Sequence, residues 1–325
     1  LSAALADPAL GLSELDRLDA EDSLGAFVRQ GWHILEPPSR PFVGGWHIDA
    51  ICEHLEAVTA GQILRLLINI PPGAMKSLTC NVFWPAWEWG PRNLPHNRYV
   101  GASYSEALTI RDNLRCRRLI ESEWYRVKWG DRFELTGDQN SKIKFETDRT
   151  GWKIATSVGG LGTGERGDRF VIDDPHNVKD GESEARRAST ILWFNEVVPT
   201  RLNDPGKSAI VVIMQRVHER DVSGEILARE LGYEHLMLPM EFEPDRACRT
   251  RIGFADPRTK EGDLLWPERM PAEIVARDKL VMGDYAVAGQ FQQRPSPRGG
   301  PVQARLAALV RYRPGPRDAQ DLRLV

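Results

Sequence analysis

The chain carries almost no net charge for its size. Its 43 lysines and arginines against 46 aspartates and glutamates give −3 over 325 residues. No global field draws it to DNA, so any nucleic-acid contact must come from a local basic patch. Cysteines are few, and Cys52, Cys80, Cys116 and Cys248 lie too far apart for a zinc site or a disulfide framework. They read as buried thiols in a reducing compartment. No apolar run is as long as a bilayer span and Leu1 opens no signal-peptide pattern, so the expectation is a soluble, intracellular protein with no membrane partner. Internal repeats and extended low-complexity runs are also lacking. The chain has no leading Met and ends abruptly, which reads as a piece of a longer protein.

What is present alternates short apolar runs with amphipathic stretches. Residues 1–45 read as a helical segment, with Leu5, Leu10, Leu12, Leu15 and Leu18 at helical spacing before a turn at Pro37, Pro38 and Pro41. Ile48, Ile51, Leu55 and Val58 predict one amphipathic helix. Strands are expected at 63–70, 98–103, 208–214 and 234–238, with three more short runs over 133–158. Ser103-Tyr104-Ser105-Glu106 matches a capping box that opens a helix to about Ile120. Helices are also expected over 182–198 and 221–231. This is the pattern of an α/β fold with a mostly parallel central sheet and helices on both faces. The core spans 46–244. Pattern then weakens, giving a small lid-like subdomain over 245–293 and a Pro- and Gly-rich linker over 294–325.

The stretch Ile68-Asn69-Ile70-Pro71-Pro72-Gly73-Ala74-Met75-Lys76-Ser77 carries the most chemistry. An apolar strand stops at a Pro-Pro-Gly turn, and a Lys-Ser pair heads a helix. Backbone N–H groups of such a turn face an anion, Lys76 meets terminal phosphates, and Ser77 can ligate Mg²⁺. The usual pattern has glycine where Ile70 and Met75 stand, so a strand and helix with an incidental Lys-Ser is the competing reading. A second motif weighs against coincidence. Arg169-Phe170-Val171-Ile172-Asp173-Asp174-Pro175 is an apolar strand ending in two carboxylates, one placed for Mg²⁺ and the next for the attacking water. Third in order, the strand before Gln215 and Arg216 ends in a polar cluster expected at the same crevice. An amide there can sense the γ-phosphate.

Together these stretches resemble the large terminase subunit of tailed bacteriophages and related prophages, the ATPase that drives DNA into capsids. The resemblance rests on Trp46-His47-Ile48-Asp49, on Ile70 to Ser77, on Phe83-Trp84-Pro85-Ala86-Trp87, and on Gly162-Thr163-Gly164-Glu165-Arg166-Gly167-Asp168 running into Ile172-Asp173-Asp174-Pro175. It continues with Ile213-Met214-Gln215-Arg216-Val217-His218-Glu219-Arg220-Asp221 and Ala288-Gly289-Gln290-Phe291-Gln292-Gln293-Arg294-Pro295. It implies a P-loop NTPase (ASCE/RecA-like) fold and the N-terminal ATPase domain of such a subunit.

By that resemblance ATP and Mg²⁺ are the cofactors. Pro72, Gly73, Ala74, Met75, Lys76 and Ser77 form the Walker A loop, and Asp173 is the Walker B metal carboxylate. Asp174 stands where the family usually has the catalytic Glu, one methylene shorter. Gln215 falls at the motif that couples hydrolysis to movement. Arg166, in a Gly-rich loop, is the candidate arginine finger, in cis or from a neighbouring subunit, with a solvated loop Arg or a salt bridge to Glu165 or Asp168 as the alternative. Trp46 and His47 are candidates for a stacking wall beside the adenine, although such a Trp is more often core. The basic helix with Arg111, Arg115, Arg117 and Arg118 is weighed as a DNA contact and ranked as a solvated face.

The implied partners are double-stranded DNA, a portal protein, a small terminase subunit, and further copies in a ring on the portal, the isolated domain being expected as a monomer. The implied setting is the host bacterial cytoplasm. An RNase H-like nuclease domain is expected beyond this chain. Two alternatives remain: a superfamily-2-like helicase, for whose second RecA-like domain 245–325 is too short, and a nucleotide-binding scaffold without turnover.

Overall fold

The computed structural model describes residues 8–160 and 164–296. Leu5 and most of the expected linker lie outside them. One eight-stranded sheet organises the chain. Its strands are β1 (Arg65–Asn69), β2 (Arg98–Ser103), β3 (Leu135–Asn140), β4 (Lys144–Thr147), β5 (Trp152–Ser157), β6 (Arg169–Asp173), β7 (Ala209–Met214) and β8 (Glu234–Met237). They run in the order β3-β4-β5-β2-β6-β7-β1-β8. All pairings from β5 to β8 are parallel, and only β3–β4 and β4–β5 are antiparallel.

The central strands are covered on both faces, which is why they read as continuous apolar runs. Along β7, Ala209, Val211 and Ile213 join one buried cluster, and Ile210, Val212 and Met214 join the other. The first cluster holds the helices Leu24–Leu35 and Trp46–Thr59 and the segment Lys76–Trp89; the second holds Glu184–Glu196 and Val222–Ala228. Phe27, Phe83, Trp124, Tyr125 and Trp129 interlock mostly edge to face on the first side. Each such buried ring contributes about 1.5–3 kcal/mol by area alone.

Two details of this framework bear on the site. After Lys76–Leu78 the helix widens into a π-helical turn, Thr79–Phe83, before resuming at Trp84–Trp89. Pro85 explains it. Proline has no N–H to give the carbonyl four residues back, that of Asn81, and its ring crowds that carbonyl, so the turn opens and Trp84 N–H bonds to Thr79 O instead. At the opposite edge of the sheet, the wholly buried Glu88 carboxylate accepts from Arg169 at 3.0 Å, Asn97 at 2.6 Å, Thr59 at 2.8 Å and the Tyr99 hydroxyl. Burial works against its charge, but Arg169 and these donors outweigh burial and keep the carboxyl below its usual value. That network pins the starts of β2 and β6.

The capping box departs from expectation. Ser103 is the last residue of β2, and Ser105 caps the helix Glu106–Glu121 without a side-chain bond. Its arginines are largely spoken for: Arg111 pairs with Asp112, Arg115 with Glu36, and Arg117 with Glu121 and Asn140. Residues 245–293 pack on the core through Trp266 Nε1 to Gly44 O at 2.8 Å and Met240 N to Phe291 O at 2.8 Å. They include a helix, Ala272–Ala286, broken at Gly283, where φ is +74°.

Candidate functional site

Parallel strands bring their carboxyl ends to one edge. In register, Ser103, Asp173, Ile213 and Ile68 form a single row across β2, β6, β7 and β1. The residues just beyond that row therefore share one crevice. β1 turns through Ile70–Met75 into the helix that begins at Lys76. Gly73 (φ +80°) and Met75 (φ 62°, ψ 7°) both adopt the left-handed conformation. Met75 thus takes, at a cost, the backbone shape that glycine favours in a phosphate loop. A Cβ at Gly73 would meet nothing within 4 Å, so the loop is open toward solvent there.

Lys76 is buried, and its Nζ lies 2.7 Å from Asp174 Oδ2. Burial opposes the ammonium, but Asp174 and Asp173 outweigh it and hold Lys76 above its ordinary pKa. Asp174 is itself unusual, with φ +41° just past the end of β6. Its N–H continues the ladder to Ile213 O at 2.8 Å, and its Oδ1 accepts the Gln215 N–H at 3.0 Å. One short carboxylate thus ties the phosphate-loop helix, β6 and the end of β7 together.

Asp173 is buried. Burial first, then the Asp174 charge, pushes its pKa up to about 7, against the pull of Lys76 and the Ser77 hydroxyl. Its Oδ2 accepts from Asn81 Nδ2 at 3.4 Å, while its Oδ1 has no hydrogen-bond partner. The Gln215 side-chain oxygen is buried and unpartnered as well. A raised, half-satisfied carboxylate beside a hydroxyl and a lysine fits a hard divalent cation held partly by the protein and partly by a polyphosphate. Among the described residues no group of three or more His, Cys, Asp or Glu is placed to hold a metal. One carboxylate and one hydroxyl are the donor set of a Mg²⁺ bound chiefly through phosphate and water.

Four residues expected at the site do not stand there as free groups. Arg166 is exposed, and its neighbours Gly167 and Asp168 bond to Arg201 O and Arg98 O at the amino edge of the sheet. From there to Asp173 the chain runs the length of β6, about 20 Å at about 3.3 Å per residue. That is beyond an arginine's reach, so this arrangement does not bring Arg166 to the Asp173 end within one chain. Of the alternatives expected for it, the salt bridge is not formed, because Glu165 pairs with Lys144 at 3.1 Å and Asp168 accepts from Arg98 N and Asn203, and the solvated loop arginine is what the structure places there.

Trp46 and His47 do stand at the crevice end, because their helix runs antiparallel to β1. They are not open walls, however. The Trp46 ring is engaged by Phe254 and Arg258, and His47 is fully buried against Trp266 at 4.7 Å. Burial, then Arg258, pushes His47 down to about 3, so it is a neutral core residue.

Arg216 does not face the crevice either. Its Nε bonds both Asp221 oxygens at 2.9 and 3.0 Å, and Asp221 also accepts the N–H groups of Val217, His218 and Gly224. The pair folds the loop that leaves Gln215 in place.

Sequence reasoning assigned no role to Asn81 or Gln293. Gln293 Oε1 accepts the Arg216 N–H at 3.0 Å, seating 288–295 on the end of β7. Gly289 is needed there, since a Cβ would stand 2.9 Å from Arg216 O.

One strand, β7, lies between the strand feeding the loop and the strand bearing the paired carboxylates, and β8 flanks β1 on the far side. With the loop-to-helix junction at Lys76, this defines the P-loop NTPase fold. No protein-family model matches the chain, and no curated protein matches it. Among solved structures it is similar to the large terminase of bacteriophage HK97, with 13% identity and a TM-score of 0.47, over 84% of this chain and 54% of that one. It is also similar to a point mutant of the large terminase ATPase domain of Thermus phage P74-26, with 14% identity and a TM-score of 0.44, over 74% of this chain and 93% of that one. The chain thus spans about half the length of the HK97 protein. Among the described residues no helix is long and apolar enough to cross a membrane.

Proposed function

We propose that this chain is the ATPase motor domain of a viral large terminase, hydrolysing ATP to drive double-stranded DNA into a procapsid in the host bacterial cytoplasm. The observation that carries the reading is the convergence of Lys76, Asp173, Asp174 and Gln215 on one edge, with Lys76 bound to Asp174 while Asp173 Oδ1 is left unpartnered. Pro72 to Ser77 cradle the polyphosphate through backbone N–H groups, and Lys76 leaves Asp174 to meet the terminal phosphates. Ser77 and Asp173 would hold Mg²⁺, which would neutralise charge on the phosphate oxygens. Asp174, released from Lys76, accepts the proton of the attacking water, and Gln215, bonded to Asp174 through its backbone, registers the change.

Arg166 acts only in trans on this reading, its exposed position at the amino edge offering it to a neighbouring copy. That implies a ring of copies, which would dock on the portal protein while a small terminase subunit helps to choose the DNA. A bound but unhydrolysed nucleotide is the second reading, favoured by the short Asp174 side chain and its existing bonds. Steady-state ATP hydrolysis with Mg²⁺, across protein concentration, separates the two. The wild type should turn over with upward curvature, Lys76→Ala should be inactive, and mixing in Arg166→Ala should poison the wild type. Nucleotide binding without turnover at any concentration would refute the motor.

A further inference from the structure

Asn81 lies on the π-helical turn, buried, where its side chain meets no solvent. Its Nδ2 reaches Asp173 Oδ2 at 3.4 Å, leaving Oδ1 as the carboxylate oxygen without a partner. One sequence feature places that contact. Pro85 crowds the Asn81 carbonyl and opens the helix at this turn. A buried amide is costly unless bonded, so this placement needs a use.

The geometry points to Asn81 as a positioning residue for the metal carboxylate. By holding Oδ2 it leaves Oδ1 free for the cation that Ser77 and Asp173 would share. This rests on the metal reading of Asp173 given above and adds to it the group that orients the ligand. Partners of metal ligands typically change metal affinity about 10–100-fold when removed. Asn81 touches neither phosphate nor water in this role, so nucleotide binding without metal should not depend on it.

The test is the affinity of a fluorescent ATP analogue, measured in EDTA and across a Mg²⁺ series. Wild type, Asn81→Ala, the volume-conserving Asn81→Leu and Asp173→Asn would be compared, each checked by thermal melting. In EDTA the Asn81 variants should match the wild type within about 2-fold. The Mg²⁺ concentration for half-maximal tightening should rise at least about 10-fold. An unchanged Mg²⁺ midpoint in a folded Asn81 variant overturns the positioning role. Equal loss with and without metal overturns it too, since that marks a merely structural residue. Failure of the underlying reading looks different: the wild type itself would show no Mg²⁺-dependent tightening, or Asp173→Asn would keep that tightening unchanged.

Discussion

Met75 offers a test in which the sign of an effect, not only its size, is at stake. Its backbone sits at φ 62°, ψ 7°, where an L side chain costs about 1–2 kcal/mol and glycine costs nothing. Its side chain is half-buried against the core. Met75→Ala would lose that packing and keep the strain. Met75→Gly would lose the same packing but relieve the strain, at about 0.5–1 kcal/mol of extra chain entropy. Met75→Gly should therefore be more stable than Met75→Ala by roughly 0.5–1 kcal/mol. At the adjacent Ala74, which has no positive φ, the ordinary rule should hold, and Ala74→Gly should lose about 0.5–1 kcal/mol. Urea unfolding with an unchanged slope reads all three. If glycine is worse than alanine at 75 by the margin seen at 74, the loop does not hold the left-handed turn, and the phosphate cradle built on it falls.

Two further outcomes are expected. Asp174→Asn keeps an acceptor for the Gln215 N–H but frees Lys76, so nucleotide binding should hold while turnover falls at least about 100-fold; near-wild-type turnover would assign the water to another acid. His176, buried and accepting the Val222 N–H at 3.1 Å, is pushed to about 4 chiefly by burial. Its folded pKa lies below its unfolded one, so its contribution is present above about 6.5 and lost as pH falls toward 4, about 3 kcal/mol in full. His176→Asn should flatten the fall of the urea midpoint across that window, and parallel curves for the two proteins would refute this.

The core strands were legible because burial on both faces leaves no polar alternation to confuse them; β7 is six apolar residues, all buried. Lys76, Asp173, Asp174 and Gln215 were legible for a related reason, since a strand end in a parallel sheet announces the crevice. The helix Ala272–Ala286 was not, because among its residues only Val275 is buried, while Leu280 and Val281 are 87% and 82% exposed. It has no apolar stripe to read. Arg166 misled for another reason. A Gly-rich loop just before a strand lies at that strand's amino edge, and the order of residues along the chain does not reveal the 20 Å, roughly, that separates the two ends. Asn81 was hidden by the same logic in reverse. Its partner is remote in sequence, and the wide turn that aims it is a response to Pro85, which otherwise reads only as a helix breaker.

The Lys76–Asp174 pair gives these contacts a direction. A phosphate at Lys76 would compete with Asp174 for the ammonium, and Asp174 holds the Gln215 N–H with its other oxygen. Next along the chain, Arg216 gives its N–H to Gln293 and its guanidinium to Asp221. A nucleotide that displaces Asp174 from Lys76 therefore disturbs a contact one residue and one hydrogen bond from the segment 288–295. The strained φ of Asp174 matters here, because a residue held at +41° by its two partners has reason to relax when one of them is withdrawn. In the proposed motor, the phosphate site and the seat of the C-terminal segment are joined through a single short carboxylate. The short side chain of Asp174 suits that closer tie, and is not by itself a sign of a decayed site.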